Sequence, residues 1–214
     1  MEKYFGRAVL AAVFITTVAI LPANAGSENS VYLLQETSPT GGLGNTLTVN
    51  QSSASNSLVA GNTSRTRPAI QRGTSNSGTI TVAKKNANVI FLQGNLNPTS
   101  SWNSATVNIT GADALALLQQ NGLNNTGLIE VSGRWASGSL IQIGEGNNGT
   151  VTVSGESSSG LLVQDGDKNV YSLNVSGGDV SYTIIGSGVT SSTSPQVYSN
   201  GGTVTITQTV LSGI

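Results

Sequence analysis

The chain has 214 residues, nine of them basic and ten acidic, with neither cysteine nor histidine. A formal charge of −1 excludes a broad polyanion-binding field. The missing cysteine excludes disulfide bracing, and the missing histidine removes the commonest general base and metal ligand.

The first predicted element is not part of the fold. Lys3 and Arg7 give a positive start, Ala8 to Leu21 an apolar run, and Ala23-Asn24-Ala25 a small-x-small cleavage site. Residues 1–25 are therefore expected to be a signal peptide cleaved before Gly26, with the mature chain exported. The apolar run is shorter than the roughly 20 residues that a membrane span needs.

From residue 26 to 214 the chain is expected to form one all-β repeat domain. Four copies of Gln-x-Gly-x-x-Asn recur at Gln71-Gly73-Asn76, Gln120-Gly122-Asn125, Gln142-Gly144-Asn147 and Gln164-Gly166-Asn169, the last three beginning 22 residues apart. A period of that length marks a supersecondary unit that buries its apolar side only by stacking on its neighbours. Around each copy, residues alternate with period two. In chain order the inward phase reads as follows. Val31, Leu33 and Gln35 precede Leu47 and Val49, and Ala69 and Gln71 precede Asn76, Gly78, Ile80 and Val82. Val89, Phe91 and Gln93 precede Asn103, Ala105, Val107 and Ile109 across an inserted loop with Pro98 and Trp102. Ala116, Leu118 and Gln120 precede Asn125, Gly127, Ile129 and Val131. Gly138, Leu140 and Gln142 precede Asn147, Gly149, Val151 and Val153, and Ser158, Gly160, Leu162 and Gln164 precede Asn169, Tyr171, Leu173 and Val175. Val180, Tyr182 and Ile184 are read as the first wall of a last turn, with Asn200, Gly202, Val204, Ile206 and Gln208 as its second. The intervening Thr150, Thr152, Ser154, Asn174 and Ser176 are polar and face solvent in this phase.

The predicted architecture is a two-sheet β-solenoid of about seven strand-corner-strand turns with one narrow apolar core. Glutamine and asparagine at fixed inward corner positions have a physical role there. A side-chain amide donates and accepts at once, so identical amides stacked at the cross-β spacing of about 4.7–4.8 Å satisfy one another. The glycine between them admits backbone conformations closed to other residues.

Catalysis finds little support. Asp113, Glu130, Glu145, Glu156, Asp165, Asp167 and Asp179 fall near corners or on outward strand positions. Glu145 and Asp167 could approach each other in consecutive turns, but no aromatic sugar platform accompanies them, and solvated corner charge accounts for them equally. Asp165-Gly166-Asp167 lacks the other ligands and the closing glutamate of a calcium loop, and a serine triad of the usual type needs histidine. Arg65, Arg67 and Arg72 with Lys84 and Lys85 read as solvated or edge charge. No enzyme activity, cofactor, small-molecule substrate or nucleic acid is expected.

The spaced residues resemble the repeat of curlin, the subunit of curli-type bacterial amyloid fibres, which runs serine, five residues, Gln-x-Gly-x-x-Asn-x-Ala, five residues, Gln. Ser158, Gln164, Gly166 and Asn169 match its first half, Asn103 and Ala105 its middle, and Asn200 with Gln208 its closing half. The chain departs at the closing glutamine, where Gly111, Gly133, Gly155, Gly177 and Lys84 stand, so one of the two amide ladders is mostly missing. The resemblance implies export as an unfolded chain through an outer-membrane pore, nucleation by a minor subunit, and self-association into an extracellular, cell-surface-associated fibre of a biofilm matrix. The alternatives are a minor nucleator of such a fibre and a monomeric β-solenoid adhesin. The strand pattern of Thr203 to Val210, with no charge or proline after Pro195, favours assembly.

Overall fold

A computed structural model describes residues 28–36, 44–94, 101–177, 180–187 and 202–209, the last two without their side chains. The expected signal peptide and Asn200 lie outside the described residues, as do the side chains of Ile184, Val204, Ile206 and Gln208.

The described residues form two parallel sheets. The first contains β1 (Ser30–Val31), β2 (Leu33–Glu36), β4 (Leu58–Ala60), β5 (Ala69–Arg72), β7 (Asn88–Gly94), β9 (Leu115–Leu123), β11 (Ser137–Glu145), β13 (Ser159–Asp165), β15 (Val180–Ser187) and β16 (Gly202–Thr209). The second contains β3 (Thr46–Asn50), β6 (Ser77–Val82), β8 (Ser104–Ile109), β10 (Thr126–Val131), β12 (Asn148–Ser154) and β14 (Val170–Ser176). From β1 to β15 the chain alternates between the sheets, β1 with β2 and β4 with β5 each making one wall, and successive rungs pair in register. Leu140 lies beside Leu118 and Leu162, and Val151 beside Ile129 and Leu173. This is the expected all-β two-sheet solenoid with units of about 22 residues.

The core is the space between the sheets. Phe91, Val107, Ile109, Leu118, Ile129, Val131, Leu140, Val151, Val153, Leu162, Leu173 and Val175 are all buried. Period two explains the shape, because every second residue of each strand points into a layer only two walls thick. At the first rung the walls are less covered, and Val31, Leu33 and Val49 are only partly buried against this cluster.

Two features differ from the sequence reading. First, β15 and β16 are not opposite walls of one turn. They pair with each other in the first sheet, Tyr182 with Val204, Ile184 with Ile206 and Gly186 with Gln208. The reason is the period itself: segments of equal phase one full repeat apart are successive rungs of the same wall. Gln208 thus belongs to the column of Gln164 and Gly186 and is not a closing glutamine. Second, the wall of the second rung begins at Leu58, not at Ala69. β4 and β5 lie end to end, and residues 61–68 leave the sheet between them, pinched at the base by Gly61 N–H donating to Arg67 C=O (2.9 Å). Ala69 is fully buried in the core, and Ala60, in register with the outward Ile90, is fully buried too.

Candidate assembly site: stacked amides at one corner

The corner leading from the first sheet to the second gathers two columns of amides. In the first column, the Nε2 of each glutamine donates to the Oε1 of the next rung: Gln35 to Gln71 (2.6 Å), Gln71 to Gln93 (2.8 Å), Gln93 to Gln120 (2.9 Å), Gln120 to Gln142 (2.8 Å) and Gln142 to Gln164 (2.8 Å). The other Nε2 hydrogen crosses to the opposite sheet. Gln71 donates to Thr46 O (2.9 Å), Gln93 to Ser77 O (3.0 Å), Gln120 to Ser104 O (2.9 Å), Gln142 to Thr126 O (2.9 Å) and Gln164 to Asn148 O (2.8 Å). One side chain therefore joins successive rungs and also ties the two walls together. The ladder has a direction, since each Nε2 from Gln35 to Gln142 donates to the glutamine of the next, C-terminal rung.

In the second column asparagine does the equivalent for the corner backbone. The Oδ1 of Asn45, Asn76, Asn103, Asn125 and Asn147 accepts the backbone N–H of Asn76, Asn103, Asn125, Asn147 and Asn169, at 2.9 to 3.1 Å. The Nδ2 of Asn103, Asn125 and Asn147 donates to the carbonyls of Gly122, Gly144 and Gly166 at 3.0, 2.9 and 2.7 Å. From Gln71 to Asn169 every amide of the two columns is buried, none more than 3% exposed. An unpaired buried amide costs about 1–3 kcal/mol, so the ladder is what makes the column tolerable.

The corner glycine has two reasons to be glycine. Gly122 has φ +127°, and a Cβ there would stand 2.0 Å from Gly144 O of the next rung. From Asn76 to Asn169 the residue before each asparagine is also left-handed: Ser75, Trp102, Asn124, Gly146 and Lys168 have φ between 47° and 69°. The sequence signals this at Asn124, an amide that tolerates such a φ, and not at Trp102 or Lys168.

At the other corner, Gly111, Gly133, Gly155 and Gly177 replace a second ladder with close backbone contact. A Cβ on Gly133 would lie 1.5 Å from Gly155 O. Two columns line this corner: Ser57, Ala87, Ala114, Ala136 and Ser158, of which the sequence marks only Ser158 as inward, are small and fully buried, and Asn56, Asn86, Asp113, Trp135 and Ser157 are left-handed with φ from 49° to 59°. On its outside, Asn56 Nδ2 donates to Asn86 Oδ1 (2.9 Å) and Asn86 Nδ2 to Asp113 Oδ1 (2.7 Å), while Arg134 Nε reaches Asp113 Oδ2 at 3.3 Å. The Asn86 hydrogen bond holds the Asp113 carboxyl below its ordinary value, opposed by burial and supported by Arg134 and Lys85. The Arg134 guanidinium lies 4.1 Å above the Trp135 ring.

The remaining charges are dispersed. Arg72 pairs with Glu36, Arg65 and Arg67 are exposed on the 61–68 excursion, and Lys84 and Lys85 are exposed at the second corner. Glu145 and Asp167 do not form a carboxylate pair; Asp167 Oδ1 accepts the backbone N–H of Glu145 (2.8 Å). Among the described residues no three His, Cys, Asp or Glu side chains come together as a metal site.

The ladder makes a direct prediction. Gln142→Leu with Gln164→Leu strands the backbone carbonyls that both amides serve, so the folded state should lose on the order of 1–3 kcal/mol. Denaturant unfolding of the double variant measures it. An unchanged midpoint would mean that two leucines extend the apolar layer at no cost.

Compared with known proteins, the chain matches no family model, and neither a curated protein nor a solved structure is significantly similar to it.

Proposed function

We propose that the mature chain is a structural subunit of an extracellular, curli-like amyloid fibre that contributes to a biofilm matrix and to adhesion. The observation that carries this reading is the in-register glutamine ladder running from Gln35 through Gln164, whose first member is only partly buried although its partners inside are sealed. Val31 and Leu33 are likewise half-covered at the same rung, while their counterparts Val59 and Ala69 are fully buried. A rung that repeats the inner chemistry and, among the described residues, has no strand on its outer side is an acceptor for another such rung, where backbone pairing supplies affinity and matching side chains supply selection. The same reading makes a curlin-like nucleator and an outer-membrane secretion pore its partners in the cell.

Purified chain beginning at Gly26 tests the reading. Fibres should form with a concentration-dependent lag that preformed seeds abolish. Folded chain that stays monomeric at high concentration would favour the adhesin alternative, and fibres that appear only after adding a second subunit would favour a dependent or nucleating role.

A further inference from the structure

The chain has two tryptophans, Trp102 and Trp135, and both stand where the backbone least favours them. Trp102 has φ +47° and Trp135 φ +59°, in the left-handed region where a bulky side chain is strained. In the column of Trp135 the other rungs hold Asn56, Asn86, Asp113 and Ser157, short polar residues that suit such a turn. Both rings are also exposed, Trp102 by 58% and Trp135 by 53%. Neither burial nor local conformation accounts for a tryptophan at either place. Trp102 borders a cleft with Gln35, Asn45 and Ser77 beside the first rung, where another rung would dock. Trp135 lies on the second corner, between β10 and β11, with rungs on both sides of it.

The Trp135 ring is held from one side by a chain of side chains. Arg134 lays its guanidinium 4.1 Å from the ring centroid and reaches Asp113 Oδ2 through Nε at 3.3 Å. Asp113 Oδ1 accepts from Asn86 Nδ2 (2.7 Å), and Asn86 Oδ1 from Asn56 Nδ2 (2.9 Å). More than half of Trp135 stays exposed with a guanidinium already over one face, so the other face is open to solvent. Hydrogen-bonding capacity is left over beside it. Arg134 uses only Nε, and the four N–H bonds of its two terminal nitrogens have no acceptor among the described residues. Asp113 keeps spare lone pairs, and Asn56 its carbonyl oxygen.

We propose that Trp135, Arg134 and Asp113 form a binding site for an uncharged polysaccharide, with Trp135 as the stacking platform and the other two as partners of the sugar hydroxyls. The C–H bonds on one face of a pyranose carry partial positive charge and pack on the negative face of an indole ring, while its hydroxyls both donate and accept. A fixed aromatic face beside a mixed set of donors and acceptors matches that chemistry. Charge selects against an acidic polymer. Arg134, Lys84 and Lys85 are countered by Asp113 and by Glu156 one repeat further on, and the whole chain carries −1. The site does not depend on the fibre reading. Within a fibre the corner would face sideways, rung-to-rung stacking would leave it open, and one weak site per subunit would add up to tight attachment.

Affinity electrophoresis of freshly prepared, unassembled chain beginning at Gly26 tests the site, in native gels cast with hydroxyethylcellulose, galactomannan or dextran. At least one of these should retard the chain, and Trp135→Asn should weaken the retardation at least tenfold. Asparagine suits the left-handed turn, so this variant should melt no lower than the unmodified chain, which separates a binding role from a structural one. Arg134→Gln should weaken the retardation as well. Trp102→Asn should keep it, and in that chain, where Trp135 is the remaining tryptophan, the emission should shift to the blue when the retarding polymer is added. The proposal is overturned if none of the three polymers retards the chain, if Trp135→Asn is retarded as before, or if that variant loses retardation only together with its β-sheet circular dichroism. Stronger retardation by polygalacturonate, abolished by salt, would also overturn it by assigning the site to charge. Chain that binds the polymer and forms no fibres would sink the fibre reading and leave the site standing.

Discussion

Leu140→Asp should unfold the soluble chain, or at the least remove its capacity to assemble. Leu140 is fully buried between Leu118 and Leu162 in a layer two walls thick. The substitution removes the burial of a leucine, worth about 1.5–3 kcal/mol, and puts a carboxylate where no counter-charge can reach it. The combined loss, at least about 4 kcal/mol, approaches the whole stability of a typical domain. Thr152→Asp is the matched control, because Thr152 points outward from the opposite sheet. Thermal unfolding followed by circular dichroism compares the two. Equal midpoints would contradict the assignment of inward and outward phase.

The second large effect is expected from the glycine corner. Gly133→Val should destabilise by about 3 kcal/mol, because its Cβ would overlap the carbonyl of Gly155, and that atom belongs to backbone and cannot swing aside. The rungs would have to separate locally, breaking the bonds from Thr110 and Ser132 N–H to Val131 O and Val153 O (2.9 and 3.0 Å). Ser132→Val, one residue earlier, lacks that overlap and should cost far less. Denaturant titration of both variants checks the contrast, and equal midpoints would show that the corner opens freely.

The sequence carries the middle of this fold more clearly than its ends, for a physical reason. Between Ala116 and Val175 the repeat length is constant, so Gln120, Gln142 and Gln164 fix the phase of every strand around them. At β16 the same rule was available, but Gly186 interrupts the glutamine column between Gln164 and Gln208, and without that marker the two segments read as facing walls. The wall of the second rung was missed at Leu58, Val59 and Ala60 because the 61–68 excursion separates them from Gln71, the residue that announces the turn. The left-handed corner residues escape for another reason. Trp102, Trp135 and Lys168 adopt a φ that their side chains do not favour, held there by the rungs above and below, and that constraint is not local in sequence. The apolar outer face of the first sheet is written plainly in Leu115 to Leu118 and Leu161 to Val163, but its meaning depends on knowing which of those residues the core already uses.

The claim that the chain is a stacking unit is tested most directly by X-ray diffraction from aligned fibres of the chain beginning at Gly26. The rungs should lie perpendicular to the fibre axis and give a meridional reflection at about 4.7–4.8 Å, with an equatorial reflection near 10 Å from the two facing walls. Ordered fibres without the meridional reflection, or with it turned onto the equator, would show that chains do not join rung to rung and would contradict the account.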